Sequence, residues 1–231
     1  MINYFTFDGT DSRTFNTFIA TSNMFDAPEE NVDTITIPYK NTPVHISYGT
    51  FKPFSGKAVC YIPSDMQNNI DELRNFLKSR FASCRYTEAL RPGEYRIARF
   101  KEAFEVDRSD RQTAAFALTF ECSPQRFLTS GDTPIIMTTS STTITNPFMI
   151  SAPLVRAYGT GTLTIGDYTI TINSVDEYVD IDSETKQCYK GDVNCGANVE
   201  LTDYPLLVSG ENAVTKVGLT RVEITPRWWK I

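Results

Sequence analysis

Phe120-Glu121-Cys122-Ser123-Pro124-Gln125-Arg126-Phe127-Leu128 ends an apolar run that reads as a strand, and Ser151-Ala152-Pro153-Leu154-Val155-Arg156-Ala157-Tyr158-Gly159 opens another. Between them, Thr129 to Phe148 is rich in Thr, Ser and Pro, with one short apolar pair at Ile135-Ile136. Such a composition buries no core of its own, so it reads as a linker or an edge crossing. This places an N-terminal domain at residues 1–130, a linker at 131–148 and a C-terminal domain at 149–231, the last residues packing back on the first domain. The N-terminal side of this boundary mixes one strong helix with strands; the C-terminal side is strand pattern throughout.

Ser64 to Ala82 carries the helix. Ser64-Asp65-Met66-Gln67 fits a capping box. Met66, Ile70, Leu73, Phe76, Leu77 and Phe81 recur at helical spacing and make one apolar stripe. A partner-binding helix would show the same stripe, but a lone helix among strands must bury it on a sheet. Elsewhere the first half reads as short strands: Phe5-Thr6-Phe7 before an Asp8-Gly9 turn, Ile35-Thr36-Ile37 stopped by Pro38, then Val44, Ile46 and Tyr48 alternating with His45 and Ser47. Tyr95 and Ile97 face one way and Arg96, Ala98 and Phe100 the other. Asp107 to Arg111 reads as a charged hairpin tip.

The second half is more regular. Thr162-Leu163-Thr164-Ile165, then Gly166-Asp167, then Tyr168-Thr169-Ile170-Thr171-Ile172 predicts a two-residue hairpin with Leu163, Ile165, Ile170 and Ile172 on the buried face. Val179 and Ile181 give a strand whose partner is Gln187-Cys188-Tyr189. Short strands with regular turns describe a β-sandwich.

The 231 residues include 41% hydrophobic and 12% aromatic side chains, enough for a packed core rich in β structure. A formal net charge of −6 argues against nucleic-acid binding and against an anionic membrane surface. No apolar run reaches the roughly 18 residues of a membrane span. The start, Met1-Ile2-Asn3-Tyr4-Phe5-Thr6-Phe7-Asp8, alternates like a strand and lacks a basic n-region, so the expectation is a protein made in a cytoplasm and leaving it, if at all, by lysis.

No catalytic constellation stands out: there is no Gly-x-Ser-x-Gly, no Walker loop and no Gly-x-Gly-x-x-Gly after a strand. Cys60, Cys84, Cys122, Cys188 and Cys195 are odd in number and lack Cys-x-x-Cys spacing, so they read as small buried hydrophobes and not as a zinc site or disulfide framework. The sole histidine, His45, has no second ligand near it. Asp176, Glu177, Asp180, Asp182 and Glu184 could in principle hold calcium or supply a carboxylate pair for glycoside hydrolysis. Without an Asp-x-Asp-x-Asp-Gly loop, the default places Asp180 and Asp182 on the solvated face opposite Val179 and Ile181. Trp228 and Trp229 are adjacent and so project to opposite faces, which leaves at most one of them for a flat sugar platform and favours burial in a core or interface. The expected catalytic, cofactor-binding and metal residues are therefore none.

Read in order, the chain resembles the distal tail protein (Dit) family of siphophages. The resemblance rests on Phe7-Asp8-Gly9 with Ser12 and Phe15, on Tyr95-Arg96-Ile97-Ala98, and on Phe120 through Leu128. It continues through Asn146-Pro147-Phe148, Ala152 through Gly159, Tyr204-Pro205-Leu206-Leu207 before Gly210-Glu211-Asn212, and Ile224-Thr225-Pro226-Arg227-Trp228-Trp229. It departs at Tyr39-Lys40-Asn41-Thr42, where the family often has a Gly-Arg-Asn-Gly-like turn, and there is no room for an extra carbohydrate-binding insertion. The resemblance implies a mainly β protein: an N-terminal β-sandwich or split barrel with one α-helix, forming a hexameric ring, and a C-terminal galectin-like β-sandwich. It implies a non-enzymatic virion hub at the tail tip of a phage or prophage, made in the bacterial host cytoplasm. The ring would join the tail tube protein to the tail-associated tail-tip protein and carry receptor-binding proteins. DNA would pass through the channel without being specifically bound, and no membrane is involved. A carbohydrate-binding β-sandwich module is the alternative that the sandwich pattern and aromatic content leave open.

Overall fold

The computed structural model describes residues 2–103, 105–107 and 112–231. The chain is mainly β and divides into two compact units, Met1–Arg126 with Ile231 and Phe127–Lys230. The first holds β1 (Phe5–Phe7), β2 (Thr10–Asp11), β3 (Phe18–Ser22), β4 (Glu30–Ile35), β5 (Val44–Phe51), β6 (Phe54–Ile62), α1 (Met66–Lys78), β7 (Cys84–Glu88), β8 (Glu94–Phe100), β9 (Val106–Asp107) and β10 (Ala114–Cys122). Its main sheet runs β2-β1-β7-β8-β10-β6-β3, all antiparallel neighbours, while β4 and β5 pair only with each other. Four of the residues read as a charged tip, 108–111, lie outside the described residues.

Alternation decides which face is wet. Along β10 the buried residues are Ala114, Phe116, Leu118, Phe120 and Cys122. Their partners on β6 include Ala58 opposite Leu118 and Gly56 opposite Phe120, so large side chains meet small ones across the pair. The space above Gly56 is taken: an added Cβ would stand 2.4 Å from the Met24 sulfur. Phe120 then gathers the rings of Phe7, Tyr86 and Phe100, with centroids 5.2 to 5.3 Å away. Helix α1 lays Met66, Ile70, Leu73 and Leu77 on this core, as its spacing requires.

The helix differs from its expected bounds at both ends. Asp65, not Ser64, is the N-cap; it sits in the left-handed region (φ 48°) and makes no side-chain capping bond. Ser64 instead receives a hydrogen bond from the Asn16 amide, at 3.0 Å. At the other end Lys78 donates to the carbonyls of Lys101 and Glu102, the helix stops, and Phe81 falls outside it at 80% exposure. A residue at the right spacing is on a helical stripe only while the helix lasts.

The second unit holds β12 (Ile135–Met137), β13 (Ser141–Asn146), β14 (Leu154–Tyr158), β15 (Gly161–Ile165), β16 (Tyr168–Ile172), β17 (Tyr178–Asp182), β18 (Gln187–Lys190), β19 (Val193–Asn194), β20 (Val199–Leu201), β21 (Gly210–Val217), β22 (Arg221–Thr225) and β23 (Trp229–Lys230), reached from the first unit through β11 (Arg126–Leu128). Two sheets, β12-β22-β14-β17-β18-β19 and β13-β21-β15-β16-β20, share one core. Leu163, Ile165, Ile170 and Ile172 are all buried in it, and Gly166 turns the hairpin with φ 54°. Residues 131–148, expected as a linker, supply a strand to each sheet. Their Thr and Ser residues cover the outer face, while Met137, Ile144 and Asn146 are buried. Gly131 begins this segment because nothing larger fits: an added Cβ would lie 2.2 Å from the Trp228 amide nitrogen.

Leu73→Asp should cost several kcal/mol by burying an unpaired charge, whereas Phe81→Asp, at an exposed site, should stay within about 0.5 kcal/mol of the parent. Urea titrations of both variants would read the contrast, and equal stabilities would show that α1 does not bury its stripe as described.

Candidate functional site

Residues 23–51 leave the sheet and return to it. The departure is anchored by burial: Met24 and Phe25 belong to the first core, and Asn23 exchanges hydrogen bonds with the Lys57 backbone at 2.6 and 3.1 Å. Beyond them β4 and β5 form a two-stranded ribbon in which every residue of both strands is exposed or half-buried. Cross-strand register puts Ile35 opposite Val44 and Asp33 opposite Ile46, with Thr34 opposite His45 between. One face therefore carries Ile35, Val44, Ile46 and Tyr48 with Asp33 among them, and Ile37 comes next at the same parity; the other carries Thr34 and His45. The alternation of apolar residues with His45 and Ser47 is as the sequence predicts, but the apolar side meets no core. Ile35 is 48%, Tyr48 55% and Tyr39 fully exposed.

The ribbon's polar groups are bonded within it. Ser47 donates to Glu30, Tyr48 to Asp33 at 2.6 Å and Asn31 to Thr50 at 3.3 Å; Thr34 and His45 share a bond of 3.0 Å, and Lys52 pairs with Glu29 at 3.0 Å. His45 is thus a rung of the ribbon.

Two arginines that sequence pattern alone does not single out hold the root. Its strand's alternation marks Arg96 only as a residue on the face of Ala98 and Phe100; it is fully buried. Its Nη2 donates to the Asp26 carbonyl at 2.7 Å, and its Nη1 to the carbonyls of Ser123 and Pro124 at 3.0 Å each. Its guanidinium lies 4.6 Å from the Phe54 ring centre, and Nε has no hydrogen-bond partner among the described residues. Burial lowers the guanidinium pKa to about 10, so the group is still charged at neutral pH. Arg126 donates to the Phe25 carbonyl at 3.1 Å and stands 3.7 Å from Glu94. The signal was present, because Arg96 alternates with apolar residues on a face that must be buried. Its partners, 27, 28 and 70 residues distant, were not visible.

In the second unit the acidic cluster is a pair of ion pairs. Asp180 and Asp182 are not solvated: at 3% and 5% exposure they lie inside, because Arg156 and Arg227 supply the compensating charge. Arg156 grips Asp180 with two bonds of 2.7 and 2.8 Å, and Arg227 grips Asp182 with two of 2.6 and 3.0 Å. Burial pushes the Asp182 carboxyl up, but the hydrogen bonds and charge of Arg227, with the amides of Glu184 and Thr185, outweigh it and hold it below the ordinary carboxylate value. A general acid for glycoside hydrolysis needs the opposite shift. Asp176 and Glu177 remain outside and pair with Lys190. No group of three or more potential ligands that could hold a metal occurs among the described residues. Trp228 is buried, and Trp229 donates to the Ile150 carbonyl at 2.8 Å, so the two form no shared platform. The five cysteines are free thiols. No helix among the described residues is long and apolar enough to cross a membrane.

Polar residues of the sequence motifs are bonded inside their own units. Ser12 accepts from the Phe5 amide and donates to the Thr17 carbonyl. Asn146 donates to the carbonyls of Met149 and Leu207, and Asn212 to those of Ile144 and Val208.

Arg96→Ala should destabilise the first unit by about 2–4 kcal/mol, because three carbonyls lose their donors; a loss under about 0.5 kcal/mol in a denaturant titration would contradict the anchoring role. Asp182 predicts an acid transition. With a folded-state pKa depressed below the unfolded value of about 3.9, its contribution is present above that pH and disappears as the pH falls through the folded value. Arg227→Met should cost about 2–4 kcal/mol at pH 7, less than a fully enclosed pair because Arg227 is partly exposed, and should flatten that acid dependence. Thermal melts from pH 2 to 7 on both proteins read it.

No protein-family model matches the chain, and no curated protein matches it. Among solved structures it is similar to the crystal structure of the SPP1 Dit (gp 19.1) protein, described as a paradigm of the hub adsorption apparatus in phages that infect Gram-positive bacteria. The match has a TM-score of 0.76 and 12% identity, and covers 100% of this chain and 99% of that one. The two chains share a fold from end to end.

Proposed function

We propose that the chain is a structural virion protein, the distal tail hub of a long-tailed, non-contractile phage. The observation that carries this reading is the end-to-end structural likeness to SPP1 Dit, a hub protein by its description. Polar residues of the ordered motifs serve as internal clamps of both units. In this reading six copies close into a ring. The tail tube protein binds one side, the tail-associated tail-tip protein the other, and receptor-binding proteins attach at the rim. The second unit is the galectin-like sandwich. The assembly sits at the tail tip after synthesis in the host cytoplasm, and a net charge of −6 suits a channel that DNA crosses without sticking.

The β4–β5 ribbon supports an assembly role. A two-stranded sheet alone is marginal in water, and an apolar stripe on a free ribbon is an association hazard unless a partner covers it. A neighbouring subunit is the partner always present in stoichiometric amount, and a closed ring requires a heterologous contact of this kind.

Light scattering with negative-stain images of the purified protein should show a particle of about six protomers with a central hole. A protein that stays monomeric both alone and with the neighbouring tail protein would overturn the hub reading. The double variant Ile35→Asp/Ile46→Asp should keep the parent Tm within about 2 °C, since both side chains are exposed, yet shift the particle to monomers. A ring that survives it would assign the interface elsewhere.

A further inference from the structure

Cys188 and Cys195 have no part in the hub reading, and their placement is specific. The register of β18 against β19 pairs Lys190 with Val193 and Tyr189 with Asn194. Cys195 then leaves the strand as the N-cap of a 3-10 turn over Gly196–Asn198, but its amide still donates to the Cys188 carbonyl at 2.8 Å, which keeps the two residues across from each other. Both side chains pack against the same core, and residues joined by such a bond between antiparallel strands have Cα atoms about 5.5 Å apart. That lies within the roughly 4.4–6.8 Å that disulfides span. Both thiols lie against the second core, Cys188 buried and Cys195 half-buried at its border. A shallow cleft of about 290 Å³ lined by Gln187, Cys188, Tyr189, Gly191, Asp192 and Asn194 opens beside the pair. Cys60 and Cys122, by contrast, are enclosed in the first core.

We propose that Cys188 and Cys195 are an oxidation site, a thiol pair that closes to a cross-strand disulfide when the protein meets a small-molecule disulfide oxidant such as oxidised glutathione. The half-buried Cys195 reacts first. Its thiolate attacks one sulfur of the oxidant, forming a mixed disulfide and releasing one glutathione thiolate. The Cys188 thiolate then attacks the Cys195 sulfur, the second glutathione leaves, and the two protein thiols have given up two protons and two electrons to the oxidant. Burial pushes the Cys188 thiol up, while the Tyr204 hydroxyl 3.9 Å away favours the thiolate. The second step therefore accelerates as pH rises. The product closes a loop of eight residues, 188–195, and ties down β19, the last strand of the six-stranded sheet. A reducing cytoplasm keeps the pair open; release into oxidising surroundings closes it.

The test uses the full chain with oxidised glutathione at pH 8, then denaturation, maleimide labelling and peptide mass analysis. The expected result is one linked pair, 188–195, about 2 Da lighter than the two thiol peptides and formed faster in folded than in urea-unfolded protein. It should raise Tm by on the order of 5 °C. Cys188→Ala, the smallest change at the buried position, should stop at a glutathione adduct on Cys195, and Cys195→Ser should leave Cys188 unmodified. Full maleimide labelling of both cysteines after oxidation would overturn the proposal. So would linkage to any of the other three cysteines, or closure no faster in folded than in unfolded protein.

Discussion

The first unit depends on one buried guanidinium. Arg96 reaches the carbonyls of Asp26, Ser123 and Pro124, and these belong to the two places where the chain leaves the sheet. At the first it departs toward the β4–β5 ribbon; at the second, just past β10, it ends the unit. Backbone carbonyls there lack ladder partners, and an enclosed carbonyl without a donor costs as much as a lost hydrogen bond. The guanidinium itself is buried between the sheet and the ring of Phe54. A planar fork with several pre-organised donors answers three acceptors with less loss of side-chain freedom than an ammonium on a flexible stem. Because the acceptors are carbonyls, no carboxylate neutralises the group directly. Arg126 and Glu94 beside it extend the same clamp to Phe25.

The second unit uses the same logic with different chemistry. Its apolar residues alternate regularly enough to make two layers, but alternation alone leaves the order of strands open. Buried polar groups close that freedom. Arg156 on β14 grips Asp180 on the adjacent β17, Arg227 reaches Asp182 from the end of the chain, and Lys216 donates to the carbonyls of Leu219 and Thr220 as β21 turns toward β22. Replaced by apolar residues of equal volume, such pairs would lose little stability. A slip of one residue in β17, however, would turn Asp180 and Asp182 away from their arginines and onto the core face of Val179 and Ile181, so these pairs penalise that wrong register.

This explains which parts of the molecule were legible in the sequence. Local regularity was legible: the helical stripe from Met66 to Leu77, the Thr-facing hairpin around Gly166, the opposition of His45 to Val44 and Ile46. Partnership at long range was not. Asp180 looks solvated when only its strand is seen, and becomes internal once Arg156, 24 residues earlier, lies beside it. Residues 131–148 look like a linker because Thr and Ser dominate, yet a strand on the outside of a sandwich needs only every second residue to be apolar, and Met137 and Ile144 suffice. Phe81 erred the other way, since spacing does not reveal where Lys78 finds carbonyls and ends the helix.

The ribbon joins these threads. A loop of that length carrying five or six apolar residues would have to be ordered by whatever binds it, at a cost in backbone and side-chain entropy that lowers affinity. Here the ordering is already done. The side-chain rungs from Glu30–Ser47 to Asp33–Tyr48 are made within the ribbon, which leaves its apolar stripe and the outer backbone edges of both strands to face outward. The root is fixed by Met24 and Phe25 in the core and by the two arginines at Asp26 and Phe25. A surface element that carries an apolar stripe, bonds its own polar side chains and is rooted in a core would bind a partner at low entropic cost. In the ring proposed above, that property would suit a permanent contact between subunits better than an occasional ligand, because only a permanent contact would keep the stripe out of water throughout the life of the protein.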